Sequence, residues 1–220
     1  GLVPYESNAP FWSDHAIKRR WFALPGDDSM MTFRREGAWT FPTGTVWVKH
    51  FDRPYRRPST MLFPMETRIL IQTTNGVSGA SYRWNDEGNE ADLVPDEGSD
   101  AMFYAWTPTE LVTQTWHFPG RNECLSCHTS INGGPAGFNT AQLNRRTREG
   151  VALLSQLDAW SVAGYFSEPL VRTHQMPALV SPTDETQTLE HRVRAYLDAN
   201  CAACHQPGGL TRTPWDARIG

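Results

Sequence analysis

Apolar and polar positions alternate with a period of two along much of the first 120 residues. In residues 38–51 a Pro-Thr-Gly turn is followed by Val46, Val48 and His50 alternating with Trp47, Lys49 and Phe51. That period is the signature of a half-buried strand. Residues 68–73, 80–84, 102–106 and 111–118 read as further strands, with turns at Asn75-Gly76 and at Asp86-Glu87-Gly88-Asn89. Residues 92–100 are acidic and marked by Gly and Pro, which predicts a surface loop. Five or six such strands predict an antiparallel sandwich or small barrel.

The pattern changes near Pro119-Gly120. Residues 140–148 and 150–159 read as helical. From about Asp184 the period becomes that of a helix: Leu189, Val193, Tyr196 and Leu197 fall at i, i+4, i+7 and i+8 on one stripe. Residues 181–184 offer caps, with Pro182 in the first turn. We expect a β-rich scaffold or docking domain over residues 1–120 and a mostly helical part over 121–220.

Composition narrows the class. Of 220 residues, 39% are hydrophobic and 20% charged, as in ordinary globular chains. Mean hydropathy is -0.51, and no apolar run approaches the roughly 18 residues of a spanning helix. A net charge of -4 argues against nucleic acid as a partner. Lys18 and Lys49 are the only lysines among 20 basic residues. The chain opens at Gly1 without a Met or leader-like segment, and we expect a mature form or a piece of a longer chain. It ends soon after its last motif, and we expect the natural chain to continue beyond Gly220.

The four cysteines change the picture most. They form Cys124-Leu125-Ser126-Cys127-His128 and Cys201-Ala202-Ala203-Cys204-His205, with none left over. Cys-x-x-Cys-His is the pattern of covalent c-type haem attachment. Two cysteines would form thioethers and the adjacent histidine, His128 or His205, would be the proximal iron ligand. A zinc site built from all four cysteines, or two disulfides, would also use every thiol, but neither explains a histidine directly after each pair. The expected cofactors are therefore two covalently bound haem c.

The sixth ligand would set the function of each iron. Met176, followed by Pro177 in a loop-like stretch, is the first candidate for the first haem; His117 and His50, near predicted strand ends, are its rivals. No His or Met follows His205. Arg121, Arg145, Arg146, Arg192 and Arg194 lie near the motifs, and forked guanidinium contacts suit acid groups.

The chain resembles a bacterial family of diheme c-type cytochromes of largely uncharacterised function. The resemblance is carried by Val3-Pro4-Tyr5, Asn8-Ala9-Pro10-Phe11-Trp12-Ser13-Asp14, Lys18-Arg19-Arg20-Trp21 and Phe41-Pro42-Thr43-Gly44-Thr45-Val46. It continues through Glu66-Thr67-Arg68, Tyr82-Arg83-Trp84-Asn85, Gln142-Leu143-Asn144 and Arg194-Ala195-Tyr196-Leu197-Asp198. It implies export to the periplasm or beyond, and sometimes association with a propeller resembling a quinone-dependent sugar dehydrogenase. Longer relatives carry a further Met-Pro segment past the point matching Gly220.

Together these features predict an α+β chain: an antiparallel β-rich N-terminal domain followed by a mostly helical cytochrome c-like haem-binding part. The expected function is extracytoplasmic electron transfer between a dehydrogenase or respiratory donor and a downstream acceptor, with redox proteins as partners. The alternatives are a diheme peroxidase-like enzyme with one open haem, or a structural, electron-conducting subunit of a larger complex or cytochrome polymer.

Overall fold

Six antiparallel strands form the main sheet, in the same order in space as in sequence. They are β1 (Val3–Pro4), β2 (Ile17–Ala23), β3 (Val46–Pro54), β4 (Leu62–Thr73), β5 (Gly76–Trp84) and β6 (Ala91–Leu93). A separate hairpin joins β7 (Ser99–Trp106) to β8 (Leu111–Phe118), paired from Ser99↔Phe118 to Trp106↔Leu111. After it come α1 (Arg121–Cys127), α2 (Thr140–Leu143), the small hairpin β9 (Arg146–Glu149) and β10 (Ala152–Ser155), α3 (Gln156–Val162), and α4 (Leu189–Cys201). This computed structural model describes all residues except 55–60, 107–109, 150, 151, 213 and 220.

Register fixes which side chains share a face of the main sheet. Phe22, Trp47, Leu70 and Gly79 lie opposite one another in one lateral row across β2 to β5. The next row is Arg20, Lys49, Arg68 and Ser81, and the third is Lys18, Phe51, Glu66 and Arg83. Because side chains alternate along a strand, these three rows occupy the same face.

That face carries both large clusters of the fold. The first row joins Met31, Trp39, Phe41, Phe138, Leu143, Leu157, Trp160 and Phe166 in an aromatic core. Phe138 and Trp160 stack at 5.8 Å, and Phe22 meets both edge-on. At the other end, Phe51 packs with Met65, Val94, Trp116 and Phe118, which brings the β7–β8 hairpin onto the sheet. Truncating one such aromatic to Ala costs about 3–5 kcal/mol. The larger core draws residues from both sides of Gly120.

The antiparallel, β-rich N-terminal part is as expected, but the mostly helical cytochrome c-like part expected after it is not borne out. The chain is mostly β-sheet with little helix. Residues 140–148 make only the one-turn α2 before turning into β9, and residues 152–155 are β10 rather than helix. The physical reason lies in two asparagines. Asn139 caps α2 by accepting from the Gln142 N–H. Asn144 ends it, its side-chain amide donating to the carbonyls of Thr173, Met176 and Pro177. The helical reading of residues 150–159 holds from Gln156, where α3 begins, and α4 starts at Leu189 behind a Thr188 cap rather than near Asp184.

Candidate functional site

The two Cys-x-x-Cys-His motifs adopt the same local turn. In each, the histidine backbone N–H donates to the carbonyl of the first cysteine: His128 to Cys124 at 3.0 Å and His205 to Cys201 at 2.9 Å. α1 carries the first motif and α4 ends in the second. Asn132 binds them together. Its side-chain amide donates to the Cys127 carbonyl at 2.7 Å and to the Ala203 carbonyl at 3.0 Å, while its oxygen accepts from the Gln206 amide. Cys127 lies close enough to Cys204 that burial and this second thiol both push its thiol up.

α1 sits against the sheet. A Cβ on Gly79 would lie 2.8 Å from Cys124 Sγ, so only glycine on β5 lets the helix approach this closely. Burial raises the Cys124 thiol pKa. The helix start is held from the hairpin side. The Gly120 N–H donates to Glu123 at 2.8 Å, and His117 donates from Nε2 to Glu123 at 3.0 Å and from Nδ1 to Asp100 at 2.7 Å. These carboxylate hydrogen bonds raise the His117 pKa. The Gly120 N–H, then His117, lower that of Glu123.

The motif histidines are held differently. His128 donates from Nδ1 to the Gly134 carbonyl at 2.8 Å, a bond that fixes the ring and leaves the lone pair on Nε2. Burial first, then the Lys49 and Arg68 charges, lower its pKa against that bond. His205 places Nδ1 3.3 Å from Thr211 Oγ1, and its ring lies 4.8 Å from that of Trp215.

The expected distal ligands are engaged in other contacts. His50 is on the opposite sheet face from α1: Nε2 donates to the buried Asp52 at 3.1 Å and Nδ1 accepts from Thr67 at 2.7 Å. His117 has both ring nitrogens on carboxylates. Met176 packs against the aromatic core. Most of the nearby arginines are also engaged: Arg121 with Asp96, Arg145 with Glu6, Arg194 with Glu190, and Arg192 with the Pro182 carbonyl.

The expectation of two covalently bound haem c is corrected here. Neither motif lies in a helical haem-binding part, and among the described residues no three His, Cys, Asp or Glu side chains gather to hold a metal ion. Cys124 Sγ is turned onto the β5 backbone at Gly79, where the helix and strand touch. The sequence motif specifies an attachment chemistry, but the surrounding fold is mostly sheet with little helix, and no step is derived through that group.

Spacing arguments missed Asn132, which is what joins the motifs, and the basic row Arg20, Lys49 and Arg68 beneath them. The rarity of lysine, together with the alternation of Lys49 with Trp47 and Phe51, was the available signal for the row. Among the described residues no helix is long and apolar enough to cross a membrane. No family model, curated protein or solved structure matches the chain.

Proposed function

We propose that this chain is an extracytoplasmic electron-transfer protein, periplasmic or extracellular, that passes electrons between a dehydrogenase or respiratory donor and a downstream acceptor. The paired Cys-x-x-Cys-His motifs, Cys124, Cys127, His128, Cys201, Cys204 and His205, are its redox site. The observation that carries this reading is the convergence of the motifs through Asn132. A carrier needs its redox-bearing segments close and held at fixed separation, and this side chain does both. The resemblance to exported cytochromes gives the same direction for location and partners.

The test is a potentiometric titration of the full chain, produced with an export signal and followed by absorption. A reversible couple whose midpoint moves in His128→Ala or His205→Ala is expected, and its spectrum identifies the redox group. A purified, folded chain with no reversible couple overturns the reading.

A further inference from the structure

We infer that the outward face of α4, with the groove beside it, is a contact surface for a second copy of this chain, the two α4 helices packing antiparallel about a two-fold axis at Val193. The inference goes beyond the redox reading and does not depend on it.

α4 is turned the wrong way for a surface helix. Such helices place an apolar stripe on the core and polar residues outside. Here the core side is made of small residues. Ala195 is buried against Ala9 and Leu179, and Ala199 packs on the same cluster. The larger apolar side chains, Leu189, Val193 and Tyr196, are exposed, Leu189 to 70%. Leu189, Val193 and Leu197 follow one another at i, i+4 and i+8, so they form a continuous row on the outer side. Single exposed apolar residues are ordinary, but a row beside a cleft marks an interaction site.

The cleft is a groove of about 320 Å³ between Val193 and Leu197 of α4 and residues 215–218. Its far wall is fixed in place. The Ala217 N–H donates to the His205 carbonyl at 2.8 Å, and the Ile219 N–H donates to Asp198 at 3.0 Å. Trp215, itself half-exposed, supplies the apolar part of that wall. The groove is therefore formed before anything enters it.

The spacing along α4 selects a second copy as the occupant. Leu189 and Leu197 lie four residues to either side of Val193, about 6 Å each way along the helix axis. A two-fold axis through Val193 sets Leu189 of each copy over Leu197 of the other, where the groove opens. One surface thus carries both the knob and the hole, which is the condition for an isologous contact. The charges agree. Glu190 and Arg194 pair at 3.0 Å along one flank of the row. In an antiparallel pair that flank meets itself reversed, so Glu190 of each copy faces Arg194 of the other. The opposite rim carries Asp216 paired with Arg218 at 2.7 Å. A surface balanced in this way offers no field to steer a partner of single-signed charge, and two copies of it do not repel.

The face is small. A helix of 13 residues is about 20 Å long and 10 Å across. That places the contact among weak, reversible interfaces rather than obligate ones, with association in the micromolar range.

The test is sedimentation equilibrium of the full chain from about 5 to about 500 µM, a range that brackets such an association. A monomer–dimer equilibrium is expected. Leu189→Asp removes the knob, and Val193→Glu sets two carboxylates on the axis. Each is expected to weaken dimerisation about tenfold or more, with helix content by circular dichroism unchanged because both side chains are exposed in the monomer. Glu190→Arg sets arginine against arginine and is expected to weaken the dimer severalfold, while adding Arg194→Glu restores it. That pair decides the matter if an apolar variant does not fold. A chain that stays monomeric throughout, a series of species larger than the dimer, or a dimer that neither Leu189→Asp nor Val193→Glu weakens overturns the inference.

Discussion

The two Cys-x-x-Cys-His motifs share a turn but not an environment. The first is pinned on three sides: by glycine-permitted contact with β5, by the Gly134 carbonyl on His128, and by His117 on the first turn of α1. The second ends a helix whose apolar stripe is open, with Leu189 70%, Val193 46% and Tyr196 41% exposed, and only Ala195 buried. Its histidine rests on residues near the chain's end, Thr211 and Trp215. The same five residues therefore specify a local geometry, while rigidity comes from what packs against them. The first motif is part of the sheet's architecture; the second is joined to the first through Asn132 and to the N-terminal segment through the Ala9–Leu179–Ala195 cluster and the Trp12–Asn200 hydrogen bond.

Gly79→Ala breaks the comparison most strongly. Its added Cβ would meet Cys124 Sγ at 2.8 Å and Cβ at 2.9 Å. Overpacking of this kind costs about 1–3 kcal/mol. Amide hydrogen exchange is expected to quicken through residues 121–134 and to stay near parental values in residues 189–200. Equal quickening in both segments would show that the motifs share one support.

Asn132→Ala tests the link itself. Loss of its hydrogen bonds to Cys127 and Ala203 is expected to cost about 1–2 kcal/mol. Residues 201–209 should loosen more than residues 121–128, because the sheet still holds the first motif. The same exchange experiment reads this asymmetry, and the reverse order contradicts it.

Trp215→Ala sharpens the comparison from the other side. Removing the ring beside His205 is expected to cost about 0.5–1.5 kcal/mol. The effect should be confined to the second motif. A change in the exchange of α1 would break the proposed independence.

The smallest effect is that of pH on α1. His117 has a raised pKa in the fold, so its contribution is complete below the unfolded histidine value near 6.5. It is lost as pH rises through the folded value. Glu123 has a lowered pKa, so its contribution is complete above the unfolded glutamate value and is lost as pH falls through the folded one. Protection of α1, corrected for intrinsic exchange, should therefore peak between the two and decline on the alkaline side, and His117→Gln should remove that decline.

Much of the sheet was legible. The period-two stretch containing Val46–Phe51 is the centre of β3, and residues 111–118 are β8. β2 escaped because Lys18 and Arg20 occupy its inward positions, where alternation leads one to expect apolar residues. The misread helix at 140–148 had acceptable helical spacing, but Asn144 spends its side chain on a distant loop, which local periodicity does not register. At the candidate site the motif residues were plain. Their surroundings were not, because Gly79, Asn132 and Lys49 come from separate segments and acquire their roles only through sheet register and tertiary contact.

Asn132 also separates two quantities that are usually tied together: the length of chain between the motifs and the distance between them. A side chain five residues beyond Cys127 reaches the Ala203 carbonyl and bridges the motifs directly. Closure entropy grows slowly with loop length, about 0.6 kcal/mol per doubling. The exposed connection around residues 182–187 can thus lengthen, shorten or take on new contacts while the motif spacing stays the same. Such a design gives a lineage freedom to reshape the outer surface without retuning the spacing of the two motifs.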